Sequence, residues 1–146
     1  MKAAVFSTKP YDKLYFEKHN QKSKHTLEFF ETSLTSQTTN LTDGFDVVIP
    51  FVNDTLDEDV IIKLSENNVR MIALRCAGFN NVDIGAAEHH GIKVTRVPAY
   101  SPQAVAEHAL ALILTLNRKT HKAYNRVKEG NFSLNNLTGF NVHGKT

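Results

Sequence analysis

Leu74 to His108 reads LRCAGFNNVDIGAAEHHGIKVTRVPAYSPQAVAEH, and this stretch decides the fold. An apolar run stops at Gly78, inside a turn of small residues whose bare backbone N–H groups could meet an anion. An Asn-rich turn follows, then a short helix near Ile84 to His89 and a strand from Ile92 to Val97. The block ends at Ser101-Pro102, a good N-cap followed by a proline suited to the first helical position. A strand, a close-approach loop, a helix and a second strand in this order form a βαβ unit.

The same alternation extends toward the N-terminus. Ala3 to Phe6 reads as a buried strand, and Pro10 to His19 as a helix with the proline in its first turn. Strands are expected at Leu27 to Phe30 and at Asp46 to Ile49, the latter bounded by Gly44 and Pro50. Leu56 to Glu66 reads as a helix with Asp57, Glu58 and Asp59 in its first turn, where carboxylates suit the dipole. Val69 to Leu74 and Lys93 to Val97 complete five strands. Strands that alternate with helices predict an α/β fold, a parallel sheet covered on both faces. Its ligand side lies at the carboxyl ends of the strands, at Phe51 to Asn53, Cys76 to Asn80 and Ala99 to Tyr100.

Beyond Ser101 the pattern changes. QAVAEHALALILTL (residues 103–116) is apolar on nearly every face, which predicts a helix buried between layers. It turns basic through Arg118, Lys119, Lys122, Arg126 and Lys128 and stops at Gly130. Asn131 to Thr146 is polar and loop-like.

Composition narrows the classes. The 146 residues are 41% hydrophobic and 22% charged, the balance of a globular protein of one domain, or one plus part of another. Seventeen basic residues against fifteen acidic give a net charge of +2, with no basic block to argue for nucleic acid or a membrane surface. The longest apolar run, Ala109 to Leu114, is far too short to span a bilayer, and MKAAVFSTKPYDK does not read as a signal peptide. The single cysteine, Cys76, cannot form an internal disulfide, which suits a reducing cytoplasm.

Several motifs admit two readings. Gly139 to Thr146 (GFNVHGKT) matches the phosphate-loop pattern G-x-x-x-x-G-K-[ST], which would put Lys145 at phosphate and Thr146 at magnesium. That chemistry needs a buried strand before the loop and a helix after it, and Leu134 to Thr138 is a poor strand, so the match is set aside. The turn at Cys76 to Asn81 fits an anion cradle built on Ala77 and Gly78. It fits at least as well a plain strand-to-helix turn that uses Gly78 for its backbone angles. Asn80, Asn81 and Asp83 read as turn and N-cap residues. Glu107-His108 and His89-His90 lack metal-ligand spacing, and no metal site is assigned. Phe51 and Tyr100 are aromatics on the expected ligand rim, where packing is the ordinary role.

Taken together, IALRCAGFNNVD (residues 72–83) and RVPAYSPQAVAEHALALILTLNR (residues 96–118) resemble the D-isomer-specific 2-hydroxyacid dehydrogenases. Within them they are most similar to the NAD-dependent D-lactate dehydrogenases of fermenting bacteria. The opening KAAVFSTKPYDK, the FVND segment at Phe51 to Asp54 and the tail from Asn131 share the likeness, which covers essentially the whole chain. The resemblance implies two α/β domains with the active site between them. Residues 1–99 would be a flavodoxin-like, parallel-sheet substrate domain. Residues 100–130 would be the hinge and the long inter-domain helix, which crosses to the cofactor domain and helps form a homo-oligomer. Residues 131–146 would lead into a Rossmann NAD-binding domain, before which the chain is truncated.

In such enzymes hydride passes from NADH to the keto carbon of pyruvate, with a histidine, a glutamate and an arginine doing the chemistry. Those three belong to later family segments, so no catalytic residue is assigned here, and Arg75, Glu107 and His108 are not substitutes. The resemblance carries over a substrate-binding half: Ala77 and Gly78 N–H groups on the carboxylate, Phe51 near the substrate side chain, and Tyr100 against substrate or nicotinamide. Val105 would pack on the nicotinamide. The chain alone is expected to be inactive, with a small 2-keto or 2-hydroxy acid as ligand of the whole enzyme. The alternative is a non-enzymatic module that binds a small carboxylate or dimerises.

Overall fold

Five short strands set the frame: β1 (Lys2–Val5), β2 (Thr26–Phe29), β3 (Val47–Ile49), β4 (Met71–Ala73) and β5 (Lys93–Thr95). The computed structural model describes residues 1–145. All neighbouring strands pair in parallel, in the order β2-β1-β3-β4-β5. This is the flavodoxin-like order, in which the direction of travel reverses between β1 and β3. Helices α1 (Pro10–Ser23), α2 (Glu58–Glu66) and α3 (Ile84–His89) connect the strands. The helix and strand positions agree with the sequence pattern to within a few residues. Asp57 sits just outside α2, its carboxylate accepting from Val60 N at 3.1 Å, so it is an N-cap and not a first-turn residue. Asp83 does the same for α3, accepting from Ala86 N at 2.9 Å.

The period-two alternation of the strands sorts their side chains onto two faces. Ala4, Phe6, Val48, Ile72 and Leu74 pack with Val60, Ile61 and Leu64 of α2, with Ala87 of α3 and with Leu34 and Phe45 from the β2–β3 connection. Most of these are fully withdrawn from water, and truncating one such Leu or Ile to Ala costs about 2–5 kcal/mol. The opposite face differs from the expectation of a sheet covered on both sides. Among the described residues it carries only α1, none of whose residues is buried. Ala3, Val47, Ile49, Met71 and Ala73 line an apolar groove of about 300 Å³ there, beside Phe16 and His19. The cause is topological. Right-handed crossovers send the β1–β2 link to this side and the three others to the opposite side.

The chain divides into two compact units, residues 1–100 and the segment from Ser101 onward. In the second unit the single helix expected after Ser101 is two: α4 (Pro102–Arg118) and α5 (Thr120–Lys128). The break falls at Lys119, which takes a left-handed conformation (φ 52°) and closes α4 with its N–H on Thr115 O. Ser101 caps α4 as expected, accepting from Ala104 N at 3.4 Å. The expected burial of α4 is not found in this chain, where Leu110, Leu112, Ile113 and Leu116 are each more than half exposed. Asn131 to Lys145 contains no strand and is tied back by Asn117, whose side chain exchanges two hydrogen bonds with the backbone of Phe140 (2.8 and 2.9 Å).

Candidate functional site

The carboxyl ends of β1, β3, β4 and β5 form one rim, which includes the point between β1 and β3 where strand order reverses. Ser7 and Thr8 follow β1 there, Pro50 to Asp54 follow β3, and Arg75 to Gly78 follow β4. Asp54, only 1% exposed, organises the first two loops. Its Oδ1 accepts from Ser7 Oγ (2.5 Å) and Leu34 N (3.2 Å), and its Oδ2 accepts from Phe51 N (2.7 Å). Three donors are what a buried carboxylate needs in place of water. Asn81 joins the β3 loop to the chain after β4 by donating to Phe51 O (3.3 Å) and Asp54 O (3.0 Å).

Arg75 fills the space beneath this rim. Its Nη2 donates to Phe6 O (2.7 Å) and Ser7 O (2.9 Å), which pins the end of β4 to the end of β1. Its Nη1 makes a charge contact of 2.7 Å with Asp12 Oδ2 of α1, without the alignment of a good hydrogen bond, and Nε has no partner among the described residues. The guanidinium carbon lies 4.7 Å from the centre of the Phe51 ring, within cation–π range. Phe51 is therefore held at its backbone by Asp54 and at its ring by Arg75.

The Ala77-Gly78 segment is poised differently. Among the described residues, neither the Ala77 N–H nor the Gly78 N–H donates to any protein group. Gly78 lies outside the left-handed region, and a Cβ built on it would meet nothing within 4 Å. Backbone angles therefore do not account for this glycine, contrary to the plain-turn reading, and neither does crowding within the chain. A shallow depression of about 310 Å³ beside it is lined by Val52, Gly78, Asn80 and Asn81, so the β3 and β4 loops meet at one place. Cys76 donates its thiol to Gly78 O at 3.2 Å. Burial raises its pKa, and the nearby Arg75 charge offsets only part of that, so the group is a poor nucleophile at neutral pH.

The family model for the catalytic domain of D-isomer specific 2-hydroxyacid dehydrogenases matches residues 3–141. The chain belongs to the D-isomer-specific 2-hydroxyacid dehydrogenases. It is 52% identical to the D-lactate dehydrogenase of Escherichia coli over 146 residues, which is all of this chain and 44% of that protein. It superposes on the apo structure of the Escherichia coli D-lactate dehydrogenase with a TM-score of 0.90, covering 99% of this chain and 46% of that one. The D-lactate dehydrogenase of Lactobacillus jensenii, solved with NAD+, is 30% identical with a TM-score of 0.69, covering 97% of this chain and 44% of that one. The chain thus spans less than half the length of the relatives it matches.

Of the family positions expected from sequence, Phe51, Ala77 and Gly78 share the rim. Tyr100 ends the first unit and is 72% exposed, and Val105, in the first turns of α4, is 60% exposed. Among the described residues after Ser101 there are two helices and an irregular tail, and no strand. The same lack removes the phosphate-loop reading of GFNVHGKT. Val142 to Lys145 is an isolated turn, with Lys145 N on Val142 O at 3.1 Å, and Thr146 lies outside the described residues. No helix among the described residues is long and apolar enough to cross a membrane.

From sequence, Arg75 is weighed only as a catalytic substitute and declined, Asp54 enters only within the FVND segment, and neither of them, nor Arg96, receives a structural role at the rim. An acidic residue directly after an apolar strand and its turn (VVIPFVND), and an arginine between an apolar strand and a glycine turn (MIALRCAG), were the available signals. Charged residues so placed must find buried partners. Which partners they find depends on strand order.

Proposed function

We propose that this chain is the substrate-holding part of an NAD-dependent D-lactate dehydrogenase that reduces pyruvate to D-lactate. The observation that supports this is the pair of unpartnered N–H groups on Ala77 and Gly78 past the carboxyl end of β4, where Gly78 shares a shallow depression with Val52 of the β3 loop, the neighbour of Phe51. Adjacent backbone donors of this kind suit a carboxylate, which accepts charge-assisted hydrogen bonds at little cost in reorganisation. Phe51 walls the pocket on the side of the substrate methyl group, Tyr100 contacts substrate or nicotinamide, and Val105 packs on the nicotinamide. Residues 1–99 are the substrate domain, 100–130 the hinge and crossing helix, and 131–146 the approach to a dinucleotide-binding region. The proton-transfer groups and the dinucleotide site belong to family segments outside these residues, so no catalytic residue is assigned within them. The protein works in the cytoplasm as a homo-oligomer, with the apolar surface of α4 in the subunit contact.

The test uses the protein purified from its own cells. NADH oxidation on adding pyruvate, with D-lactate as the product by chiral assay, is the expected result. The isolated 146-residue chain is expected to bind oxamate, a pyruvate analogue, without oxidising NADH. L-lactate as product, or no turnover of any small 2-keto acid, would overturn the enzymatic reading. A carboxylate-binding module without redox chemistry is then what oxamate binding alone would indicate.

A further inference from the structure

Arg96 follows β5 and stands beside the turn that holds the unpartnered donors. Its Nη1 donates to Ala77 O at 3.1 Å and to Pro98 O at 3.3 Å, with a longer approach of 3.5 Å to Val97 O. The guanidinium also lies 5.4 Å from the centre of the Phe79 ring, which restrains it from another side. One step earlier in the turn, Cys76 O accepts from Val97 N at 3.1 Å, extending the β4–β5 ladder past the ends of both strands.

A trans peptide points its C=O and its N–H in opposite directions. The Cys76–Ala77 peptide has its carbonyl on Val97 N, so the Ala77 N–H is turned away from the β5 side. The Ala77–Gly78 peptide has its carbonyl on Arg96, so the Gly78 N–H is turned away from the guanidinium. Two successive peptide planes are thus fixed by their oxygens, and their hydrogens are left free. The first is fixed by sheet pairing, which any residue at position 97 other than proline could supply. The second is fixed by a side chain.

We infer that Arg96 is a positioning residue for substrate binding, which aims the Gly78 N–H by holding the Ala77 carbonyl. This rests on the reading of Ala77 and Gly78 as carboxylate donors. Without Arg96 the Ala77 carbonyl turns to water and the peptide plane is free to rotate, so the substrate must supply the ordering that the arginine now supplies beforehand. Arginine suits the task because Nη1 meets both carbonyls while the planar guanidinium lies by the Phe79 ring, a restraint that a lysine ammonium on its flexible stem supplies less well. The bond to Pro98 O ties the same head to the segment that leads to Tyr100.

The intact protein that contains this chain is used for the test, with Arg96→Met and Arg96→Lys. Arg96→Met is expected to raise KM for pyruvate and the inhibition constant of oxamate together, about tenfold, with kcat within about twofold, because a lost charge-assisted bond acts here on binding. Arg96→Lys falls between Arg96→Met and the unsubstituted protein. A residue that only supported the fold would lower kcat and melting temperature together and leave the KM-to-kcat split unmoved. Unchanged oxamate affinity in Arg96→Met overturns the inference. Amide NMR of the unsubstituted protein separates the underlying reading: oxamate must shift the Ala77 and Gly78 resonances. If it does not, those residues are not the carboxylate donors, whatever Arg96 does.

Discussion

Arg75 Nη1 lies 2.7 Å from Asp12 Oδ2, and the two side chains are only 11% and 15% exposed. The pair joins the end of β4 to the first turn of α1, across the point where strand order reverses. Asp12 Oδ2 also accepts from Lys9 N at 2.9 Å, so one carboxylate closes the helix start and neutralises the arginine. Removing it leaves a guanidinium withdrawn from water with carbonyls alone as partners. Asp12→Ala is expected to cost about 3 kcal/mol in urea unfolding, as loss of one member of a buried pair does. The double variant Asp12→Ala with Arg75→Met should recover part of that loss. Additive losses in the double-mutant cycle would show that the contact contributes nothing.

Two glycines make a contrasting pair. A Cβ at Gly78 would meet no atom within 4 Å, whereas one at Gly139 would collide with the backbone carbonyl oxygen of Asn117. Gly78→Ala should therefore leave the melting temperature within about 2 °C of the parent. Gly139→Ala should detach the tail from α4. The readout is hydrogen exchange at the Phe140 amide, which Asn117 Oδ1 now holds at 2.9 Å. Slow exchange retained in Gly139→Ala would refute this.

Cys76 is expected to react slowly with alkylating agents. Burial pushes its pKa up, with a smaller opposing effect from Arg75, so the folded chain keeps the thiol proton at pH values where the unfolded chain has lost it. The corresponding contribution to stability is fully present below the ordinary cysteine pKa and is lost as pH rises through the raised folded value. Iodoacetamide labelling across pH 7 to 10 should show a folded-state midpoint above that of the urea-unfolded chain. Coincident midpoints would contradict it.

Much of this molecule was legible from residue order, and the remainder depends on strand order. The strands Ala3 to Phe6 and Val69 to Leu74 show themselves as apolar runs, and Asp83 and Ser101 as caps, because those signals are local. The break at Lys119 was not legible, since lysine has no preference for the left-handed conformation it takes there. Nor was the thin cover of the α1 face, which follows from crossover handedness once strand order is known. Phe51, Ala77 and Gly78 were singled out from loop position and family likeness. Asp54, Arg75 and Arg96 act across 47, 69 and 19 residues of sequence, and no spacing rule reaches that far.

The α4 surface makes a prediction about association. Leu110, Ile113 and Leu116 recur at a spacing of three and are 55%, 54% and 68% exposed. Residues so spaced share one side of a helix, and apolar sides of this kind are rarely left in water. Sedimentation of the chain should show a dimer or larger species, and Leu110→Glu with Ile113→Glu should shift it toward monomer. A monomer at about 100 μM without substitution would remove α4 as a self-contact.

Phe51 offers a test of specificity that follows from how it is held. Its backbone N–H is fixed by Asp54 and its ring lies 4.7 Å from the Arg75 guanidinium, so the ring cannot readily swing aside for a longer substrate. Under the proposal that Phe51 walls the substrate pocket, Phe51→Ala should open that wall while the Asp54 bond to the backbone persists. In the intact protein, kcat/KM for 2-ketobutyrate relative to pyruvate is expected to rise about tenfold, the scale on which one methylene is discriminated in an apolar pocket. The oxamate inhibition constant should move much less, because the proposed carboxylate donors, Ala77 and Gly78, are on a different loop. A fall in oxamate affinity equal to the change in substrate preference would mean that Phe51 supports the Ala77-Gly78 turn and does not line the pocket.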